Sequence, residues 1–230
     1  MSQDDKIWYA AQVTKTVLSP KKLLETFGET SVHYFVLSEV LDAVEQIRVR
    51  KGKILAERPR VIAPGYLMNQ LADNFGAEAQ QYAQWLAHNS EGLRVLQYGL
   101  RFRKEEYGEE VVGGSLDDVA EQVSQEAAKK EDQVCGVVIG VDDLWEVSLL
   151  RFASDLIRES VPHNAQQLSS RGLLDATSGN VPNAVRIEIE SDFRRSSGSR
   201  DAIGKLGDKL RKYGLFDEYE DRFYSLLKTV

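Results

Sequence analysis

Two hydrophobic periods divide this chain. As far as residue 60, and again over 95–104, apolar and polar side chains tend to alternate, as they do in half-buried strands. Most of the remainder repeats every three to four residues, the spacing of an amphipathic helix. Ile7, Tyr9, Ala11 and Val13 alternate within 7–18 and predict a strand ended by Ser19 and Pro20. Val32, Tyr34 and Val36 alternate with His33 and Phe35 and predict a second. The following LSEVLDAVEQ reads equally as more strand or as a short helix. Gln46–Arg60 reads as a β-hairpin turning at Lys51-Gly52, with glycine supplying a positive φ. Ile47, Val49, Ile54 and Ala56 would share one of its faces and the cations the other, solvated face. Leu96, Tyr98, Leu100 and Phe102 predict a returning strand, with a helix from Glu91 as the alternative.

Pro64 suits a first helical position, followed by Leu67, Met68, Leu71 and Phe75, a stop at Gly76, and a second stripe of Ala79, Tyr82, Ala83 and Leu86. After Gly113-Gly114, Ser115 and Asp118 form a capping pair ahead of Leu116, Val119, Ala120, Val123 and Ala127. Residues 142–160 are apolar on nearly every side, which predicts a buried central helix stopped by Pro162. Residues 184–195 fit either period and are assigned to helix because helices surround them. The chain ends in a helical hairpin: Ile203, Leu206, Leu210 and Tyr213, then Phe216, Tyr219, Phe223, Leu226 and Leu227 beyond Gly214. Gly204 and Gly207 in its first arm predict close approach of another backbone. The fold expected is α+β, an N-terminal antiparallel sheet of about four strands within 7–60 and 95–104 packed against a larger helical C-terminal part. Its organisation reads as a β-rich part, 1–108, with two helices and a helical part, 109–230, or as one continuous domain with a minor boundary near 179–182.

Composition sharpens this picture only in places. With 42% hydrophobic and 28% charged residues, the 230-residue chain can bury a core and does not resemble a disordered one. Cys135 is the single cysteine, so no intramolecular disulfide forms. The acidic start, MSQDDK, lacks the basic region of a signal peptide, and no apolar run is long enough to span a bilayer. A cytoplasmic location, with no membrane partner, is the expectation.

Charge changes the picture more. The chain carries -7 overall, yet Gln46–Arg60 holds Arg48, Arg50, Lys51, Lys53, Arg58 and Arg60 against Glu57 alone. A ribbon of cations can lie along phosphates of RNA or DNA. Arg101 and Arg103, with Lys104, would extend the patch, and Trp8, Tyr9, His33, Tyr34 and Phe35 are candidate stacking residues. The competing explanation is that edge-strand cations deter sheet-to-sheet aggregation.

Catalytic chemistry is thin. His33, His88 and His163 lack metal-ligand spacing. Cys135, among Val134, Gly136, Val137 and Val138, reads as a buried, inert thiol rather than a nucleophile paired with His163. Asp142, Asp143 and Glu146 could hold Mg²⁺ or form an acid/base pair, but acidic residues at a helix start also stabilise it through the dipole. The run GSRDAIGK at 198–205 fails as a phosphate loop, because its glycines are too far apart and Leu206 replaces the Ser/Thr. No catalytic residue, metal or cofactor is assigned, and the balance leans away from an enzyme. Three functions follow, in order. The first is a non-enzymatic binding or scaffold protein, docking a protein partner or a second copy through Phe216, Tyr219 and Phe223. The second is a nucleic-acid-binding protein using 46–60. The third is a metal-dependent hydrolase around Asp142, Asp143 and Glu146.

Overall fold

The computed structural model describes residues 2–41, 43–61, 72–73, 75–89, 96–97, 100–129, 133–175 and 181–228. In chain order the elements are α1 (Gln3–Val13), β1 (Lys15–Leu18), β2 (Thr30–Glu39), β3 (Gln46–Ala56), β4 (Arg60–Val61), β5 (Ala72–Asp73), α2 (Ala77–Asn89), β6 (Leu96–Gln97), β7 (Leu100–Gly113), α3 (Leu116–Ala128), β8 (Val134–Ile139), α4 (Trp145–Ser170), α5 (Asn183–Arg195), α6 (Arg200–Lys212) and α7 (Phe216–Leu227). The α+β class expected from the periods is the class observed.

One sheet organises the molecule, in the order β1-β8-β2-β3-β7-β5. Strands β2, β3 and β7 form an antiparallel meander. The chain then crosses over through α3 and returns as β8, which lies parallel to β2 and antiparallel to β1. The sheet is therefore mixed, and β8 comes from beyond residue 108, which itself lies within β7. Both faces are covered. Val32, Tyr34, Val36, Ile54 and Val138 face α1, α2 and α4, while Leu37, Ile47, Val49 and Val137 pack with Val119, Ala120 and Ala127 of α3. That two-sided burial explains the unbroken apolar run of β8. Cys135 lies there, buried and free.

Several expectations need correction. Most of the strand predicted over 7–18 is helix α1, and only Lys15–Leu18 is strand. Ser2 and Asp5 form a reciprocal capping box, and Ile7, Ala10 and Ala11 recur at helical spacing on the buried side. The hairpin predicted within 46–60 is one straight strand, β3, pairing with β2 from Thr30↔Ala56 to Glu39↔Ile47. Its turn lies earlier, where Glu45 adopts φ 53° and its carbonyl accepts from Gly114 N at 2.9 Å. Gly52 serves space, not turning. It lies opposite Tyr34, and a Cβ there would stand 2.5 Å from the Tyr34 hydroxyl oxygen. Gly136 of β8 is the residue paired with Tyr34 on the other side, and a Cβ on it would meet the Phe152 ring at 2.2 Å. Glycines on both flanking strands thus accommodate two buried aromatic rings.

Pro162 does not stop the central helix, because α4 runs through it to Ser170. Proline removes one backbone bond there, but the segment between β1 and β2 straps the helix on either side. Leu24 N donates to Ser160 Oγ at 3.0 Å, and Thr26 Oγ1 to Asn164 Oδ1 at 2.8 Å. The assignments of 77–89, 116–128 and 184–195 to helix and of 100–104 to strand agree with the structure. Of the helix predicted from Pro64 through Leu67, Met68, Leu71 and Phe75, residues 62–71 lie outside the described residues, but Ala72–Asp73 are strand β5, pairing parallel with β7, so the helix does not extend there. Of the boundary expected near 179–182, residues 179 and 180 lie outside the described residues. Helices α5, α6 and α7 close on a core of their own, built from Val185, Ile189, Phe193, Ile203, Leu206, Leu210, Tyr219 and Phe223. In that core Gly207 makes room for the Phe223 ring, which a Cβ would meet at 2.8 Å. Gly204 faces open space, so neither glycine marks a backbone approach.

Candidate functional site

Because β3 runs straight, its cations divide between two faces. Arg48 and Arg50 lie opposite Ser38 and Val36 and so point toward the α4 side. Arg50, only 5% exposed, donates from Nη1 to Asp142 Oδ1 at 2.7 Å and to Ser38 Oγ at 3.1 Å. Its Nε donates to Glu109 Oε2 at 3.2 Å, and its guanidinium lies 5.4 Å from the Trp145 ring centroid. Arg48 reaches Asp142 Oδ2 at 2.7 Å and Glu109 Oε1 at 3.2 Å. Ser38 Oγ donates to Asp142 Oδ1 at 2.8 Å, and the Tyr107 hydroxyl donates to Glu109. Two guanidinium groups thus face two carboxylates whose four oxygens are all engaged, and the cluster is electrically neutral.

The protonation states follow from this geometry. Burial alone would raise the Asp142 pKa. Hydrogen bonds from Ser38 and Arg50, with the charges of Arg50 and Arg48, outweigh it and hold the carboxyl below its ordinary value. Desolvation, and then the bond to Glu109, push the Tyr107 phenol up to about 12. Tyr107 also stacks on Trp145 at 5.4 Å between centroids. The cluster ties β2, β3, β7 and the 3-10 turn Asp142–Leu144 ahead of α4 into one unit.

The other predicted cations do not join it. Lys51 and Lys53 project from the opposite face of β3, and Lys51 Nζ lies 3.1 Å from Glu110. Arg58 is exposed and lines a separate cavity against α5 and α6. Arg60 falls on β4 and Arg101 and Arg103 on β7, but their side chains lie outside what is described. The stacking candidates are also dispersed. Trp8 and Tyr9 stand on α1, Tyr34 is fully buried, and Phe35 packs with the α3 core.

The three acidic candidates diverge. Asp142 turns to the arginines, Asp143 is exposed, and Glu146 accepts from Gly76 N at 2.5 Å. Among the described residues no group of three His, Cys, Asp or Glu side chains is placed to hold a metal. No family model, curated protein or solved structure matches this chain. Among the described residues, no helix is long and apolar enough to cross a membrane.

The proposed interface aromatics are largely internal. Tyr219 and Phe223 are 8% and 6% exposed in the α5–α7 core, and Phe216 packs edge-on against Phe223 at 5.3 Å. Their stripe is the apolar side of α7, which α5 and α6 already cover. A different aromatic surface, absent from the sequence reading as a site, lies where α1 meets α2. Trp8 and Trp85 meet edge-to-face at 4.5 Å and remain 43% and 42% exposed. Tyr82 stacks beneath Trp85 at 6.1 Å, and Tyr9 and Val13 are exposed one turn apart on α1. The available signal was the helical spacing of Trp8 relative to Ile7 and Ala11, which places its indole at the border of the buried face.

Proposed function

We propose that the protein is a non-enzymatic cytosolic binding protein that pairs with a second copy of itself through the aromatic face of α1 and α2. The observation that carries this reading is the half-exposed Trp8–Trp85 pair. Tryptophan is enriched in the buried centres of protein interfaces and uncommon as an exposed cluster elsewhere. Each indole leaves about 100 Å² open, so covering both on two chains removes roughly 400 Å² from water at the centre of a contact. A twofold contact presents the same patch twice and needs a rim that complements itself. Exposed Asp4, Asp5 and Lys6 at the start of α1 supply both signs within one turn.

The same geometry weighs against the other readings. A phosphate approaching Arg48 or Arg50 would compete with carboxylates already at hydrogen-bonding distance, and Asp142, Asp143 and Glu146 point in different directions. Sedimentation velocity from micromolar to sub-millimolar concentration tests the proposal. The wild-type chain is expected to dimerise, Trp8→Glu to remain monomeric, and Val44→Glu, at a 90% exposed turn position, to dimerise normally. A wild-type monomer at every concentration, or a dimer that survives Trp8→Glu, overturns it.

A further inference from the structure

A second concave site lies between α5, α6 and the segment that leaves β3. Its cavity of about 250 Å³ is lined by four cations, Arg58, Arg195, Lys205 and Lys209, and by Ser191 and Ser196. Two carboxylates also line it, Glu188 and Asp192. Both are bound by one partner. Lys209 Nζ lies 3.0 Å from Glu188 Oε2 and 2.7 Å from Asp192 Oδ2. Lys205 lies 2.8 Å from Asp201 on the exposed side of α6. Arg58 and Arg195 make no ion pair among the described residues, and both are exposed. The lining carries four positive and two negative groups, and with Asp201 set against Lys205 the local excess is +1 in a chain of -7.

This concentration of charge is not an accident of one strand or helix. Arg58 comes from the segment just beyond β3, Arg195 from the last turn of α5 and Lys205 from the second turn of α6. They are far apart in sequence, and only the packing of the three-helix unit beside the sheet brings them to one cavity. In the ion cluster at Arg48 and Arg50, each cation meets a carboxylate at the same place. Here the carboxylates are drawn to Lys209 on one wall, and two guanidinium forks are left without an ion-pair partner among the described residues.

We propose that this cavity binds the phosphoryl group of a small phosphomonoester, held by Arg58 and Arg195 with Lys205 and the Ser191 and Ser196 hydroxyls alongside. Guanidinium groups present paired N–H donors in a plane, which suits the oxygens of a phosphate. Cavities for whole drug-sized ligands begin at roughly 300 Å³, so this one suits a single anionic group with the rest of the ligand outside. The dianion is favoured over a singly charged phosphodiester because two unopposed cations face it. A polynucleotide would need a longer basic track than one cavity offers.

Isothermal titration of the full chain with inorganic phosphate at low ionic strength tests the site. One saturable site is expected, tighter at pH 8 than at pH 5.5, since the second ionisation of a phosphate lies at about 6. Arg58→Gln and Arg195→Gln each remove charge-assisted hydrogen bonds and should weaken binding about tenfold. Both side chains are exposed, so both variants should keep the wild-type melting curve. Arg158→Gln, which loses only its contact with Asp155 on α4, should bind as the wild type does. No saturable binding, equal loss in the Arg158 variant, or a single-stranded oligonucleotide that binds where phosphate does not compete would each overturn the assignment.

Discussion

Replacing Asp142 by asparagine tests whether the Arg48–Arg50–Asp142–Glu109 cluster holds the sheet to the start of α4. The amide keeps the size of the side chain and removes its charge. Arg50 would then remain buried with Glu109 as its only anionic partner among the described residues, and Glu109 is itself 38% exposed at the side chain, where water screens it. Breaking one partner out of a buried ion pair costs about 3–5 kcal/mol. The lower end applies here, because Glu109 persists and the asparagine oxygen can still accept one bond, so the expected loss is about 3 kcal/mol. Against a total stability of order 5–15 kcal/mol this is a large fraction. Equilibrium urea unfolding should show a midpoint lower by roughly 1 M or more with the slope unchanged.

The pH dependence adds a second readout. The folded Asp142 carboxyl titrates below its ordinary value of 3.8. Its contribution is therefore complete above that value and lost as pH falls through the lower, folded one. The gap between wild type and Asp142→Asn should stay constant from neutrality down to about pH 5 and narrow only below 3.8. Pairing Asp142→Asn with Arg50→Met, which removes the stranded charge, should recover part of the loss. A single-variant loss under about 1 kcal/mol at pH 7 would mean the cluster behaves like an exposed ion pair, and the reasoning given for it would be wrong.

Two further substitutions probe the sheet and its strap. Gly136→Ala places a methyl group 2.2 Å from the Phe152 ring, where sheet and helix meet, and overpacking there should cost about 1–3 kcal/mol. A melting temperature within a degree of wild type would show that Phe152 moves aside freely. Ser160→Ala leaves the Leu24 amide without its acceptor, a loss of about 1–3 kcal/mol. Limited proteolysis should then cut more readily between residues 19 and 29, and an unchanged cleavage pattern would show that this bond does not hold the strap.

The terminal aromatics show how a pattern can mark a face without fixing its use. The three-four spacing of Phe216, Tyr219 and Phe223 correctly marks one apolar face of α7. It does not say whether that face meets another protein or the chain's own α5 and α6, since both remove the same area from water. The cations of β3 are a related case. Spacing located them, but the carboxylates that neutralise Arg48 and Arg50 are Glu109 and Asp142, far along the sequence.

Local chemistry determined a good part of this protein. Capping residues and three-four stripes set α3 and the terminal helices, because each of these buries one side and wets the other, and the alternating period along the sequence marked β2 and the start of β7. The alternation of Ile7, Tyr9, Ala11 and Val13 pointed to a strand where Ser2 and Asp5 cap helix α1. Tertiary structure decided the rest. It decided that Lys51-Gly52 continues a strand, since Gly52 answers to the Tyr34 ring on the neighbouring strand. It inserted β8 between β1 and β2, and it carried α4 past Pro162 by contacts from the strap. It also decided which cations are neutralised and which remain open, because Coulomb energy depends on separation in space, and only folding sets the distance from Arg50 to Asp142 or from Arg58 to Arg195.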